Sequence, residues 1–343
     1  MEIIKVENLR KYFPVQKSFI EVLLSKRLEF VKAVDGVSFE IKKGEVLALV
    51  GESGCGKTTT GRILVGLEQP TDGRIYFKGK DITKLSGEES RSIRRHIQMI
   101  FQDPYASLNP KMTIGEHLEE PLLIHDLASK DEAKEMAIQM LERVGLIPAE
   151  EFYSRLPYQL SGGQRQRVAI ARAMILKPEF VVADEPVSMI DVSLRASILE
   201  LLMSFKNEYQ LSMLFITHDL SVAKLVGDKI AVMYLGKIVE IGRVEDVINN
   251  PKHPYTAALL SAVPSFIKRR FKVEIRGDVP DPKNPPSGCR FHPRCPFAKD
   301  VCKREEPKLV EVEPEHYVAC HYPIEDDDLR RLKLEESFWE LRS

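Results

Sequence analysis

The segment Gly51-Glu52-Ser53-Gly54-Cys55-Gly56-Lys57-Thr58 constrains this chain more than any other. It follows the continuous apolar run Val46 to Val50, which reads as a buried strand, and it opens a stretch, Gly56 to Leu67, expected to be helical. A glycine-rich loop between strand and helix lets backbone N–H groups turn inward around phosphate oxygens, and the helix N-terminus adds a favourable dipole. Lys57 is placed to reach the β- and γ-phosphates of a nucleotide, and the Thr58 hydroxyl to bind Mg²⁺. The alternative is a chance glycine-rich turn, and the strand–helix context weighs against it. Cys55 reads as a small filler inside the loop.

The 343 residues exceed one average domain, which is about 150 residues. A composition of 43% hydrophobic and 29% charged residues excludes disordered and collagen-like classes. Lys plus Arg total 50 against 51 Asp plus Glu, a formal net charge of −1, so no bulk attraction to nucleic acid or membrane surfaces is expected and charged ligands must be met locally. No apolar run approaches the roughly 20 residues that cross a bilayer, and the N-terminus lacks a signal-peptide pattern, so a cytosolic chain is expected. In that compartment five cysteines argue against a disulfide framework.

Strands are expected at Ile3 to Val6, Val34 to Ile41, Phe180 to Ala183 and Ser212 to Ile216, with two more around Ile230 to Ile241. Helices are expected at Met112 to Leu127, Asp131 to Val144, Gly162 to Leu176 and Ser193 to Tyr209. This alternation argues an α/β fold with a mainly parallel central sheet, interrupted by a helix-rich insert near residues 103–177. Phe19, Ile20, Leu23, Leu24 and Leu28 fall roughly at helical spacing, as a short packed helix or a partner contact. After about residue 265 the composition changes. Pro280, Pro282, Pro285 and Pro286 mark a stiff, turn-rich entry to a region holding four cysteines and a charged tail, where Leu329, Leu332, Trp339 and Leu341 would form one side of a terminal helix.

A phosphate loop needs a second Mg²⁺ anchor and a group that prepares water. The apolar run Phe180 to Ala183 ends in Asp184 and Glu185, which presents two carboxylates at a strand end. Asp184 would hold Mg²⁺ and Glu185 would act as general base, although by themselves they could be a solvated acidic pair. Leu160-Ser161-Gly162-Gly163-Gln164 opens another helix and is a second anion-binding arrangement, or only an N-cap.

Together with Gln102 in IFQDP and His218 in ITHD, these segments resemble the nucleotide-binding subunit of an ABC transporter over about residues 1–250. The resemblance implies a P-loop ATPase cassette with an N-terminal antiparallel β subdomain, a mainly parallel central sheet and a helical subdomain. It also implies two subunits sandwiching two ATP molecules. Gly51, Glu52, Ser53, Gly54, Cys55, Gly56, Lys57, Thr58 and Thr59 would bind ATP on one subunit; Ser161, Gly162, Gly163 and Gln164 would meet ATP held by the partner. Gln102 would touch Mg²⁺ or the lytic water and link the site to the membrane subunits, and His218 would stabilise the γ-phosphate. Asp191 in SMID, a departure from the usual SALD that keeps Ser188, would shape the loop across the dimer. An aromatic near the N-terminus would stack on adenine, Phe13 by register and Tyr12 next. Asn250-Pro-Lys-His253-Pro254-Tyr255-Thr and the extension after it resemble the oligopeptide/dipeptide importer ATPases, nearest the second of their two ATPase subunits. That likeness implies a homologous ATPase partner, two membrane permeases, an extracytoplasmic solute-binding protein and a peripheral place at the cytoplasmic face of the membrane. The family's cargoes are peptides and, in some members, oligosaccharides or nickel. The competing function is a soluble ABC ATPase acting on ribosomes or DNA; the single cassette, the neutral charge and the HPYT region stand against it. The chain divides on this reading into a cassette, residues 1–265, and an extension, residues 266–343.

Cys289, Cys295, Cys302 and Cys320 are separated by five, six and seventeen residues. Four thiolates suit Zn²⁺ or a [4Fe–4S] cluster, and none of these gaps matches the two to four residues usual between paired zinc cysteines. The resemblance implies an iron–sulfur cluster, with zinc or unliganded core thiols as the alternatives. His292, His316 and His321 read as hydrogen-bonded surface or packing residues.

Overall fold

A computed structural model describes residues 1–15, 29–262, 273 and 275–325. The expected helix through Phe19 to Leu28 and the tail helix through Leu329 to Leu341 lie outside the described residues.

Strand β3 (Val46–Val50) is the centre of the molecule, with every residue at most 1% exposed. It pairs in parallel with β8 (Ser212–Thr217) on one side and β9 (Lys229–Tyr234) on the other. Beyond β8 lie β7 (Phe180–Asp184) and β6 (Ile97–Ile100), both parallel to their neighbours. Beyond β9 comes antiparallel β10 (Lys237–Arg243). A strand buried on both faces needs apolar residues at every position, which accounts for the uninterrupted runs in β3, β7 and β8. Their alternation still directs packing. Leu47 and Leu49 join one core cluster, and Ala48 and Val50 another.

The Leu47/Leu49 face packs on helix α1 (Lys57–Leu64) and on a four-stranded antiparallel sheet, ordered β2–β1–β4–β5. Those strands are Phe30–Lys42, Glu2–Pro14, Asp72–Phe77 and Lys80–Asp81, so the first two are longer than their apolar cores in sequence suggest. A Cβ on Gly61 of α1 would lie 2.8 Å from Val182 and 2.9 Å from Ile216, so glycine lets the helix sit tightly on the sheet. Helix α2 (Gly87–His96), unforeseen in the sequence, buries none of its residues; it carries Glu88 and Glu89 in its first turn and Arg94, Arg95 and His96 in its last, matching the helix dipole. Between β6 and β7 run α3 (Ile114–Ile124), α4 (Lys130–Arg143), α5 (Ala149–Ser154) and α6 (Gly162–Met174), the helix-rich insert. Capping boxes at Thr113, Ser129 and Ser161 start three of them. Helix α7 (Val192–Tyr209) leads back to β8.

After β8 come α8 (Leu220–Val226), α9 (Val244–Asn249) and α10 (Pro254–Ser261), packed on the Ala48/Val50 face. The segment beyond residue 273 lies on the same face. Its helix α11 (Asp300–Arg304) is followed by β11 (Val310–Glu313) and β12 (His316–Val318), and β12 pairs with β10, which extends the central sheet to eight strands. Fully buried His316 bonds Glu240 of β10 at 2.8 Å, and Glu240 also accepts from the Lys252 and His253 N–H groups. No described helix is long and apolar enough to cross a membrane.

Candidate nucleotide-binding site

The loop from Gly51 to Thr58 joins the buried end of β3 to α1, as the strand–helix context requires. Two of its glycines are needed for close approach. Gly51 has φ +153° and a Cβ there would lie 2.2 Å from the Met233 carbonyl oxygen; Gly56 has φ +108° and a Cβ would lie 2.1 Å from that of Ala33. The Lys57 ammonium is folded into the loop, donating to the carbonyls of Gly51 (2.8 Å) and Glu52 (3.0 Å). Cys55 is buried with its sulfur 3.7 Å from Lys57 Nζ, and burial pushes its thiol pKa up. Ser53 and Gly54 are exposed, and Gly54 has open space where a side chain would stand. Thr58 and Thr59 begin α1.

The end of β7 lies against this loop. Thr58 Oγ1 donates to Asp184 Oδ1 at 3.0 Å. Burial raises the Asp184 pKa, the Thr58 bond opposes that rise, and the neighbouring Glu185 charge adds to it. Glu185 has φ +45°, an uncommon conformation for a residue with a side chain, held by its N–H bond to Ile216 O and by Ser188, which bonds the Glu185 carbonyl. Its carboxylate gathers the other expected residues. Gln102 Nε2 donates to Oε2 at 3.1 Å and His218 Nδ1 lies 3.2 Å from Oε1. Thr58, Asp184, Glu185, Gln102 and His218 thus form one connected polar group.

Other expected residues are placed elsewhere. Ser161 caps α6, its hydroxyl accepting from the Gln164 N–H while Gln164 Oε1 accepts from the Ser161 N–H. This is the N-cap arrangement, and α6 shares no extensive packing with α1. Gly162 has open space beside it, whereas a Cβ on Gly163 would lie 2.9 Å from Leu194 of α7. Asp191 is exposed at the start of α7 and makes no side-chain cap bond, and Met189, Val192 and Leu194 around it are exposed too. Near the N-terminus, the Tyr12 hydroxyl donates to Asp35 at 2.5 Å; burial first and that bond second raise its pKa to about 12. Phe13 stacks under Lys11 Nζ, 4.8 Å from the ring centre.

Cys289, Cys295, Cys302 and Cys320 line one small cavity of about 20 Å³ with His253, His292 and His321. Burial raises the thiol pKa of Cys289, that of Cys295 to about 11 and that of Cys320 to about 12. The volume is on the scale of one water-sized occupant. Among the described residues no three His, Cys, Asp or Glu side chains are placed to hold a metal ion. His292 bonds the Cys289 carbonyl and His321 that of Glu305, as expected of packing histidines.

The sequence did not point to Arg294, whose guanidinium grips Glu52 of the loop, and marked Tyr255 only as part of the HPYT segment, not as the residue whose hydroxyl accepts from the Glu52 N–H at 3.0 Å. Neither has a local motif that points to the loop; both lie more than 200 positions away from it.

A glycine loop between a central parallel strand and a helix, with a Thr–Asp pair and a glutamate at the end of β7, one strand beyond its neighbour β8, defines an ATP-binding cassette of the P-loop class. Residues 34–188 match the ABC transporter family, and residues 239–302 match the oligopeptide/dipeptide transporter C-terminal region. The chain is 48% identical over 324 residues to the oligopeptide transport ATP-binding protein AppF of Bacillus subtilis, covering 93% of this chain and 97% of that one. It is 48% identical over 317 residues to the dipeptide transport ATP-binding protein DppF of Haemophilus influenzae, covering 92% and 95%. Among solved structures, a dimeric post-hydrolysis state of the ATP-binding cassette MJ0796 bound to ADP and Pi superposes with a TM-score of 0.60 at 31% identity, over 70% of this chain and 98% of that one. The chain belongs to the ABC transporter family, in its branch of oligopeptide/dipeptide transport ATP-binding subunits, and is an ATPase.

Proposed function

We propose that this chain is the motor subunit, of the second ATPase type, in an importer of oligopeptides or dipeptides. It pairs with a homologous ATPase subunit and, at the cytoplasmic face of the membrane, with two permeases supplied by an extracytoplasmic binding protein. The observation that carries this is the joining of Gln102 and His218 on Glu185, beside the Thr58–Asp184 pair, in a chain with a peptide-transporter C-terminal region. The names of the Bacillus and Haemophilus relatives support the cargo class.

In this reading residues 51–59 hold the ATP phosphates, and Phe13 or Tyr12 stacks on the base. Thr58 and Asp184 would hold Mg²⁺, for which the facing hydroxyl and carboxylate are suitable oxygen donors, and the ion would neutralise phosphate charge. Glu185 takes a proton from the attacking water, Gln102 orients that water, and His218 steadies the γ-phosphate. The open face at Ser161–Gln164 and the exposed apolar residues around Asp191 meet the partner's nucleotide and surface. A cleft of about 360 Å³ beside Phe101, lined by Met99, Ile124 and Leu176 and by the charged Arg94, Glu120 and Arg172, would receive a permease segment near Gln102. Opening and closing of the ATPase pair would then drive alternating access in the permeases.

The extension, residues 266–343, carries a four-thiol site on Cys289, Cys295, Cys302 and Cys320. The resemblance favours a [4Fe–4S] cluster over one zinc ion, with unliganded core thiols as the third reading, and no three of the described side chains are placed to hold a metal. Anaerobic purification with iron, sulfide and zinc analysis separates the three. For the importer reading, the test is co-purification from solubilised membranes: associated permeases and ATPase stimulation by peptide-loaded binding protein are expected. Retention by ribosomes or DNA without permeases would overturn it.

A further inference from the structure

Arg290 and Arg294, in one turn of the cysteine-rich extension, grip two different parts of the cassette. Arg294 is buried, 7% exposed, and its guanidinium is bidentate on Glu52 of the phosphate loop, Nη1 to Oε2 at 2.8 Å and Nη2 to Oε1 at 3.2 Å. Nη1 also approaches the Tyr234 hydroxyl at 3.4 Å. Every polar group of Glu52 is engaged: the carboxylate by Arg294, the N–H by the Tyr255 hydroxyl and the carbonyl by the Lys57 ammonium. Lys57 is the lysine of the phosphate loop, so the residue Arg294 holds is also the one on which that lysine rests.

Arg294 is itself held rigidly. Between the two arginines, Phe291 is buried with its ring 5.3 Å from each of Tyr234 and Tyr255, and those two rings lie 4.7 Å apart. Arg290 donates to the Leu235 carbonyl and the Asp35 carboxylate, which fastens the turn to β2 and to the β9–β10 corner. The turn is thus anchored to the cassette through contacts that do not involve Glu52, and the bidentate pair ties Glu52 to that anchor.

We propose that Arg294 is a positioning residue for ATP: with Tyr255 it fixes Glu52, and through it the phosphate loop and Lys57, so that the C-terminal extension sets the nucleotide affinity of the cassette without touching nucleotide. The proposal rests on the reading of Gly51–Thr58 as the phosphate loop. A preorganised loop loses less conformational freedom when phosphate binds, so releasing the clamp weakens binding more than the chemical step.

The test uses the full chain, with the Kd for MgATP measured by calorimetry and kcat by phosphate release. Arg294→Gln is expected to weaken MgATP binding about tenfold, the equivalent of ~1.4 kcal/mol, with kcat at saturating ATP nearly unchanged. Arg294→Lys, which keeps the charge and loses the fork, should fall between. Arg294→Lys covers the case in which Arg294→Gln does not fold, and Glu52→Gln breaks the same pair from its more solvent-exposed side. Glu52→Gln should reproduce the loss, and the double variant should be no worse than either single one. The proposal is overturned if Glu52→Gln and every folded Arg294 variant keep wild-type Kd while Lys57→Ala abolishes binding, or if kcat falls and Kd does not. If Lys57→Ala itself keeps full ATP affinity, the phosphate-loop reading falls, and the positioning role with it.

Discussion

Replacing Glu185 with glutamine separates chemistry from assembly. The side chain keeps its shape and the backbone its φ of +45°, but the carboxylate that meets Gln102 at 3.1 Å and His218 at 3.2 Å becomes an amide with one acceptor oxygen. One of the two donors then faces an NH₂ group, a loss of about 0.5–1.5 kcal/mol in a partly open site, too small to unfold the chain. The catalytic loss is larger. A positioned general base contributes roughly 10²–10⁴-fold, so the barrier to hydrolysis should rise by about 3–5 kcal/mol. Phosphate release measured at saturating MgATP should therefore fall by at least two orders of magnitude. Size-exclusion chromatography of the same variant mixed with its partner ATPase subunit and MgATP should show a persistent dimer, because ATP is bound and not consumed. A rate within about threefold of wild type would remove Glu185 from the base role. Loss of ATP binding together with rate would show that the carboxylate holds nucleotide rather than activating water.

Asp35 should contribute to the acid limb of stability. Burial alone would raise its pKa, but the Tyr12 hydroxyl and the Lys237, Arg290 and Lys32 charges outweigh it and leave the group below the usual value of 3.8. Its stabilisation is thus present above about pH 3.8 and lost as pH falls through the lower folded value; Asp35→Asn should lower stability at neutral pH and flatten that decline in pH-dependent denaturant melts. Gly61→Ala should destabilise by about 1–3 kcal/mol despite the ~1 kcal/mol advantage of alanine in helices, because the Val182 and Ile216 methyls leave no room for a Cβ. An unchanged guanidinium midpoint would refute that close packing. Glu240→Ala strips the acceptor from His316 and from two backbone N–H groups in a fully buried setting and should cost about 3–5 kcal/mol in urea titrations.

The phosphate loop, the Asp184–Glu185 strand end and the Ser161 cap were legible because each is local. Their spacing in the chain already fixes which N–H groups and side chains meet. Long apolar strands were legible for a similar reason, since burial on two faces demands unbroken Val, Ile and Leu. Helix α2 escaped because none of its residues is buried and no apolar stripe marks it. Strand β6 escaped because it has only four residues, and β4 because it mixes charged with apolar residues. The ends of β1 and β2 ran on past their apolar centres because each strand supplies the other's backbone partners there, an effect with no side-chain signature.

By itself, then, the sequence determined the class of the protein, its strand–glycine loop–helix unit and the candidate base, because a strand, a turn and a helix in immediate succession organise their own backbone. Only the tertiary structure decided that Gln102 and His218 meet on one carboxylate, that β12 completes the central sheet, and that Arg294 reaches back 242 positions to clasp Glu52. Those contacts join side chains far apart in sequence: the parallel pairing of β6, β7 and β8 brings Gln102, Glu185 and His218 to neighbouring strand ends, and the packed Tyr234, Tyr255 and Phe291 rings hold the Arg294 turn beside Glu52, which no local pattern records.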